Sequence, residues 1–319
     1  MKVEGKTLDW LMEPTQPVIQ FYALTSLLDR KENDPEVRDA KEQILKKGWA
    51  ADILAAQSPA GYWEAAQSPE GYSLYNPKYT ATNWRMIVLS DFPLSFRDDM
   101  RLEKGASLFF KNWLGNEDEF EAQGEVCISG NLARMLTKFG YGDDPRVKRV
   151  VDWLVRTQKE DGGWHCFPPK TGTLDCWEAL AAFAAIPKEK RTKSINQSIE
   201  RGGEFYLARK LHEEGERYDP WYRFHYPNHY YYDVLVGLDV LTSLGFSGDP
   251  RLEYALNLLK EKRLPSGEWA LDAVHPDVDQ GVDYAVEGTP IKFALEKEGT
   301  PSKWITLTAL KVLKRVEER

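Results

Sequence analysis

Three cysteines and one histidine are the residues of this 319-residue chain best suited to chemistry. Cys127, Cys166, Cys176 and His229 offer three thiolates and one imidazole, which is the donor set of a fully coordinated tetrahedral zinc site. Three is too few and too odd a number for a disulfide framework, so free thiols, metal ligands or a nucleophile are the open readings. None of the spacings is of the close C-x-x-C kind, and small buried thiols in an apolar core are the plain alternative to zinc. His165 and His225 are the rival imidazoles. Asp175, Glu178 and Asp233 form a second set: burial would raise their pKa values enough for general-acid work. The structural reading is that they cap helix starts or pair with Arg134, Arg223 or Lys303.

These residues lie far apart in the chain, so what matters is which elements bring them together. Four segments read as helix starts: Asn33-Asp34-Pro35, Asp98-Asp99-Met100, Asp143-Asp144-Pro145 and Gly248-Asp249-Pro250. In each, an aspartate can accept from orphan backbone N–H groups, and the proline at the first helical position of three of them loses no needed donor. After Asp144, Val147, Val150, Val151, Leu154 and Val155 recur at helical spacing and make one buried stripe. Three such helices end in one phrase: Gln57 to Gly61 to Trp63, Gln158 to Gly162 to Trp164, and Arg263 to Gly267 to Trp269. The glycine lets the chain leave the helix with positive φ, and the tryptophan packs back over the hairpin. Lys104-Gly105 and Arg201-Gly202 read as the beginning of the same phrase in two hairpins that lack its end.

Between these outer helices, roughly at 6–12, 36–57, 100–114, 145–158, 194–211 and 250–263, lie more apolar segments at about 17–29, 79–92, 127–140, 175–186, 229–245 and 302–315. The expected fold is therefore all-α, an (α/α)6 toroid in one domain, with hairpins roughly at 1–30, 36–93, 99–141, 144–187, 194–246 and 249–316. An open solenoid has the same repeat count. In a closed ring the starts of the inner helices share one rim, where Cys127, Cys166, Cys176 and His229 can meet.

The Gln-x-x-x-Gly-x-Trp phrase resembles the QW repeat of squalene and related terpene cyclases, and the hairpin order resembles the toroid of protein prenyltransferase β-subunits. Tyr75-Asn-Pro-Lys-Tyr79-Thr-Ala-Thr-Asn-Trp84, Asp161-Gly-Gly-Trp-His-Cys166 and Ser302-Lys-Trp-Ile-Thr-Leu-Thr-Ala-Leu310 look like a single-domain, prenyltransferase-like group. The resemblance implies an isoprenoid-type ligand and a zinc ion. Cys176 and His229 stand where the prenyltransferase Cys and His ligands would be, with Asp175 or Asp233 as carboxylate. Two departures stand out. The prenyltransferase Asp precedes the Cys by two positions, where this chain has Leu174, and the acidic Asp-x-Asp-Asp string of the triterpene cyclases is missing. Asp277, Asp279 and Asp283 form the nearest acidic cluster, which reads as a solvated loop or as a catalytic or metal-binding group.

Aromatic residues cluster from Tyr218 to Asp233. Tyr79, Asn83, Trp84, Asn131, Trp177, Tyr230, Tyr231 and Trp304 are the candidates to line a cavity, where π faces can hold an isoprenoid chain or a carbocation. Packing is the plainer role for most of that aromatic run. A composition of 42% hydrophobic and 29% charged residues fits a globular protein, and a net charge of -8 argues against general nucleic-acid binding. The first residues, MKVEGKTLDWLMEPTQP, contain no apolar signal stretch, and no run of about 18 apolar residues occurs, so a cytoplasmic protein without a membrane span is expected. No phosphate loop, nucleophile elbow or H-E-x-x-H string is found. The leading expectation is a prenyltransferase- or cyclase-like toroid, read as an enzyme, that binds an apolar ligand in its central cavity beside rim zinc. The alternatives are a zinc-stapled protein-binding scaffold and a carbohydrate-active (α/α)6 enzyme with two facing acids.

Overall fold

The helix starts are built as the aspartates dictate. In the computed structural model, which describes residues 5–65, 67–68, 71–116, 124–167, 170–212, 218–274, 285–286, 289–290 and 293–318, thirteen α-helices carry the fold. The Asp34 carboxylate accepts from Glu36 N at 2.9 Å to open α3 (Pro35–Gln43), and Asp99 accepts from Arg101 N at 2.8 Å to open α6 (Met100–Asn112). Asp144 accepts from Arg146 N at 2.9 Å to open α8 (Pro145–Arg156). Asp249 does the same for Arg251 N at 2.9 Å, before a short 3₁₀ turn that leads into α12 (Glu253–Glu261). A cap of this kind contributes about 1 kcal/mol. At three of the four starts the arginine two residues on folds back on its own capping aspartate, with contacts of 2.6, 2.8 and 2.8 Å.

The shared terminal phrase closes each repeat and ties it to the next. Trp63, Trp164 and Trp269 each donate the indole N–H to a carbonyl ten residues upstream, on Ile53, Leu154 and Leu259. Gln158 Nε2 donates to Gly162 O at 2.7 Å and to Ser198 O of the following outer helix, α10 (Lys193–Ala208), at 2.9 Å. Gln57 bonds Gly61 O and Arg101 O of α6 in the same way. Gly162 has φ +90°, and a Cβ there would lie 2.3 Å from Arg201 O, so both backbone conformation and space require glycine. Lys104-Gly105 and Arg201-Gly202 are therefore not beginnings of the phrase. They lie inside α6 and α10, where the preceding phrase docks and an inner side chain, Met86 or Leu180, approaches the glycine.

The inner ring consists of α2 (Pro17–Tyr22, continued by a π turn to Leu27), α5 (Thr82–Ser90), α7 (Val126–Leu136, continued by a π turn to Tyr141), α9 (Glu178–Ala185), α11 (Val234–Leu244) and α13 (Lys303–Glu317). Each from α5 onward packs on the next, α13 packs on both α11 and α2, and a hydrogen bond from α2 to the end of α5 closes the ring. Arg315 joins α13 to Asp239 of α11 at 2.7 Å, while Lys314 reaches the carbonyl of Ser26 at 3.1 Å. Tyr22 OH donates to Asp91 O at 2.8 Å and joins α2 to the end of α5. The first helix, α1 (Gly5–Leu11), is held to the start of α13 through Lys303 Nζ, which donates to Trp10 O. The outer helices α3, α6, α8, α10 and α12 pack against α2, α5, α7, α9 and α11. The fold is the all-α toroid expected from the repeats.

Two boundaries differ from expectation. The outer segment 36–57 is two helices, α3 and α4 (Trp49–Ala55), because Gly48 turns the chain at φ +77° beside the Gln16 side chain. The inner helix expected from His229 begins at Val234: His229 itself has φ +32° and belongs to the preceding loop. Two short antiparallel ladders, Gln67–Ser68 with Gly71–Tyr72 and Ala285–Val286 with Thr289–Pro290, are the named strands among the described residues. Asp277, Asp279 and Asp283 lie outside the described residues. Among those described, no helix is long and apolar enough to cross a membrane.

Candidate functional site

The three thiols converge at one rim. Cys127 sits in the first turn of α7, and Cys176 lies two residues before α9. These two helices meet closely because Gly130 abuts Glu178, where a Cβ would lie 2.6 Å from backbone carbon. Cys166 is carried by the loop after Trp164, which folds back through a bridge from Trp164 to Thr173. The carboxylate of Asp161 accepts from Gly172 N at 3.0 Å and closes that loop. Cys166 Sγ is 3.7 Å from Cys176 Sγ and accepts from the backbone N–H of Cys127 at 3.4 Å.

A fourth donor was not foreseen. The Glu125 carboxylate lies 3.9 Å from Cys127 Sγ, and the ligating atoms of Glu125, Cys127 and Cys166 all fall within 4.8 Å of one another. The Glu-x-Cys spacing at a helix start was the available signal, since extended backbone at Glu125 turns its side chain toward the same rim as the first helical turn. The Cys166 thiol is pushed well down by hydrogen bonds from the thiols of Cys127 and Cys176, and those two thiols are correspondingly pushed up. Burial, with the Cys166 thiolate nearby, raises the Glu125 carboxyl and holds Glu178 well above the usual carboxylate range. Thiolate and carboxylate donors suit zinc, and two sulfurs about 2.3 Å from a tetrahedral ion lie about 3.8 Å apart, close to the spacing of Cys166 and Cys176.

His229 is not in that group. Its ring stacks on Tyr79 at 5.3 Å and meets the edge of Trp84 at 5.2 Å, and its carbonyl accepts from Asn131 Nδ2 at 2.6 Å. Tyr79, Tyr230 and Tyr231 bring their hydroxyls together at 2.8 to 3.5 Å. Beside the thiols opens a cavity of about 410 Å³, lined by Tyr75, Asn83, Trp84, Asn131, Phe167 and Tyr230 along with all three cysteines, Glu125, His165 and Asp175. Asp175 accepts from the indole N–H of Trp221 at 2.7 Å, which gives it a structural partner at the cavity wall.

A second cavity, about 260 Å³, occupies the middle of the ring and is lined by Trp177, Trp304, Tyr22 and several charged groups. Asp91 pairs with Lys138 at 3.1 Å and with Arg134 at 3.5 Å. Asp233 caps α11 by accepting from Val236 N at 2.8 Å, and its other oxygen lies 2.6 Å from His225 Nδ1, a close contact outside ideal hydrogen-bond geometry. Glu178 is fully buried, with neither carboxyl oxygen bonded to protein. Of the cavity candidates, Asn83, Trp84, Asn131 and Tyr230 thus line the rim cavity, and Trp177 and Trp304 line the central one. The charged interior has a trace in the sequence, where Arg134 with Lys138 and Lys311 with Arg315 stand four apart.

No protein-family model matches the chain, and no curated protein sequence does. Among solved structures it is similar to a protein from Actinoplanes, at 15% identity over 94% of this chain and 90% of that one, with a TM-score of 0.43. It is also similar to the apo type II terpene cyclase MstE from Scytonema, at 16% identity over 84% of this chain and 94% of that one, with a TM-score of 0.34. MstE has also been solved with its substrate, geranylgeranyl dihydroxybenzoate. At such distances the likeness concerns fold at most and assigns no residue a role.

Proposed function

We propose that Glu125, Cys127 and Cys166 hold a zinc ion at the rim, and that the adjoining aromatic cavity takes an apolar, isoprenoid-type ligand. The observation that carries this reading is the convergence of the Cys127 and Cys166 sulfurs and the Glu125 carboxylate within 4.8 Å, from two distant parts of the chain. With three protein ligands and one open position, zinc supplies Lewis-acid chemistry and lowers the pKa of a thiol or water. The chain's own residues do the rest. Trp84, Tyr75, Phe167 and Tyr230 cover apolar surface of the ligand, and Asn83 and Asn131 offer polar contacts at the wall. The N-terminal end of α7 supports negative charge on Cys166 through the Cys127 N–H. Because the ring centre is charged, the aromatic lining at the rim is the better seat for an apolar chain.

A second reading is favoured by one contact, the 3.7 Å between Cys166 and Cys176. With Cys176 as fourth ligand the coordination is full and zinc is a staple of the ring. Metal analysis separates these cases. The proposal expects one zinc per chain in wild type, nearly none in Cys166→Ser, and retention in Cys176→Ser. Loss in both variants supports the staple, and no zinc in wild type refutes both. A fluorescent farnesyl probe tests the cavity: binding to wild type that weakens in Trp84→Ala is expected, and no binding contradicts the ligand class.

A further inference from the structure

The central cavity carries a donor arrangement that the rim centre does not use. Arg134 is 7% exposed, and its Nε and Nη2 have no protein partner, while Nη1 faces Asp91. That Nε–Nη2 edge is the geometry that accepts a planar two-oxygen group bidentately. The indole N–H of Trp177, whose ring lies 5.2 Å from the guanidinium, and Nε2 of His225 also lack protein partners, and both residues line the same cavity. Buried donors left unpaired are costly, so the Arg134 edge and the Trp177 indole N–H beside one space imply a ligand that offers acceptors.

Charge and size narrow its class. Arg134, Lys138 and Lys311 among the lining residues are balanced by Asp91, Asp233 and Asp239, so the site suits a monoanion better than a multiply charged phosphate. The cavity, about 260 Å³, lies below the range of about 300–1,000 Å³ typical of drug-sized ligands, so the ligand is small. Part-exposed Ala184 and Ala185 and exposed Ser243, at the far ends of α9 and α11, line it and give it a mouth opposite the thiol rim.

We propose that the central cavity binds a small monocarboxylate, its two oxygens on the Nε–Nη2 edge of Arg134 and the Trp177 indole N–H as a further donor. His225, oriented by Asp233, faces the remainder of the molecule. The site is independent of the rim zinc. Calorimetric titration of the intact protein with acetate, propionate, pyruvate and benzoate, and with inorganic phosphate and sulfate, tests it. At least one carboxylate is expected to bind one per chain, with phosphate and sulfate clearly weaker. Arg134→Lys, which keeps the charge beside Asp91 but loses the fork, should weaken carboxylate binding by about tenfold or more. Trp177→Phe, which keeps the ring and removes one donor, should weaken it about threefold to tenfold, and circular dichroism checks that both variants fold. The proposal is overturned if no carboxylate binds folded wild type, if phosphate binds as tightly, or if folded Trp177→Phe binds as wild type does.

Discussion

The same inner helices line two cavities of opposite character. From α7, Cys127, Ile128 and Asn131 face the aromatic rim cavity, while Arg134 and Lys138, one to two turns further on, face the charged centre. From α9 and its approach, Cys176 faces the rim, and Trp177 and Ala181 face the centre. The rim gathers soft donors because helix starts bring backbone N–H groups and loop residues together, which suits thiolates. The centre gathers charges in pairs, since a lone buried charge surrounded by apolar helices would be prohibitive. In this ring, position along an inner helix decides the chemistry a residue joins.

Substitutions that strike one region and spare the other sharpen this contrast. Cys166→Ser has the largest effect, because this sulfur contacts both other thiols: zinc content should fall from one per chain to nearly none, read by metal analysis. Asp91→Asn strikes the centre instead. It removes the acid facing Arg134 and Lys138, and should cost about 3 kcal/mol in urea unfolding while zinc content is unchanged. Gln158→Ala touches neither cavity but cuts bonds to Gly162 O and Ser198 O and the one accepted from Ser198 Oγ. Denaturant midpoints should report about 2 kcal/mol lost. Asp144→Ala, at an outer helix start, should cost about 1 kcal/mol.

That last variant also carries a pH signature. The Arg146 guanidinium bonded to Asp144 holds its carboxyl below the ordinary value of 3.8, and Asp99 and Asp249 are lowered the same way by Arg101 and Arg251. A depressed carboxyl stabilises the fold above its unfolded pKa and loses that contribution as pH falls through the folded one. Wild type and Asp144→Ala should therefore differ in stability at pH 6 and converge in strong acid, a difference kept small by exposure of these pairs.

The elements legible in the sequence were those whose cause is local. Asp34, Asp99, Asp144 and Asp249 cap what they were expected to cap, since capping needs only neighbouring atoms. The terminal phrase was visible as well, but not its partner: that Gln158 reaches Ser198 depends on the stacking of successive outer helices. The break at Gly48 was missed because the apolar pattern continues through it, although Gln16 and Pro17 crowd that glycine from another part of the chain. At the candidate site, Cys127, Cys166 and Cys176 were legible as a rim group from helix starts alone. Glu125 was not, because an acidic residue before a helix usually reads as a cap, and His229 stands among aromatic rings because its loop turns before α11 begins. The charged centre was hidden because each charge looked isolated until the ring closed around its partner.

X-ray absorption at the zinc edge of the purified wild-type protein tests the central claim most directly. The account predicts a four-coordinate ion with two sulfur neighbours at about 2.3 Å and oxygen ligands completing the shell. An ion with no sulfur in its first shell, or a protein that takes up no stoichiometric zinc, would contradict it.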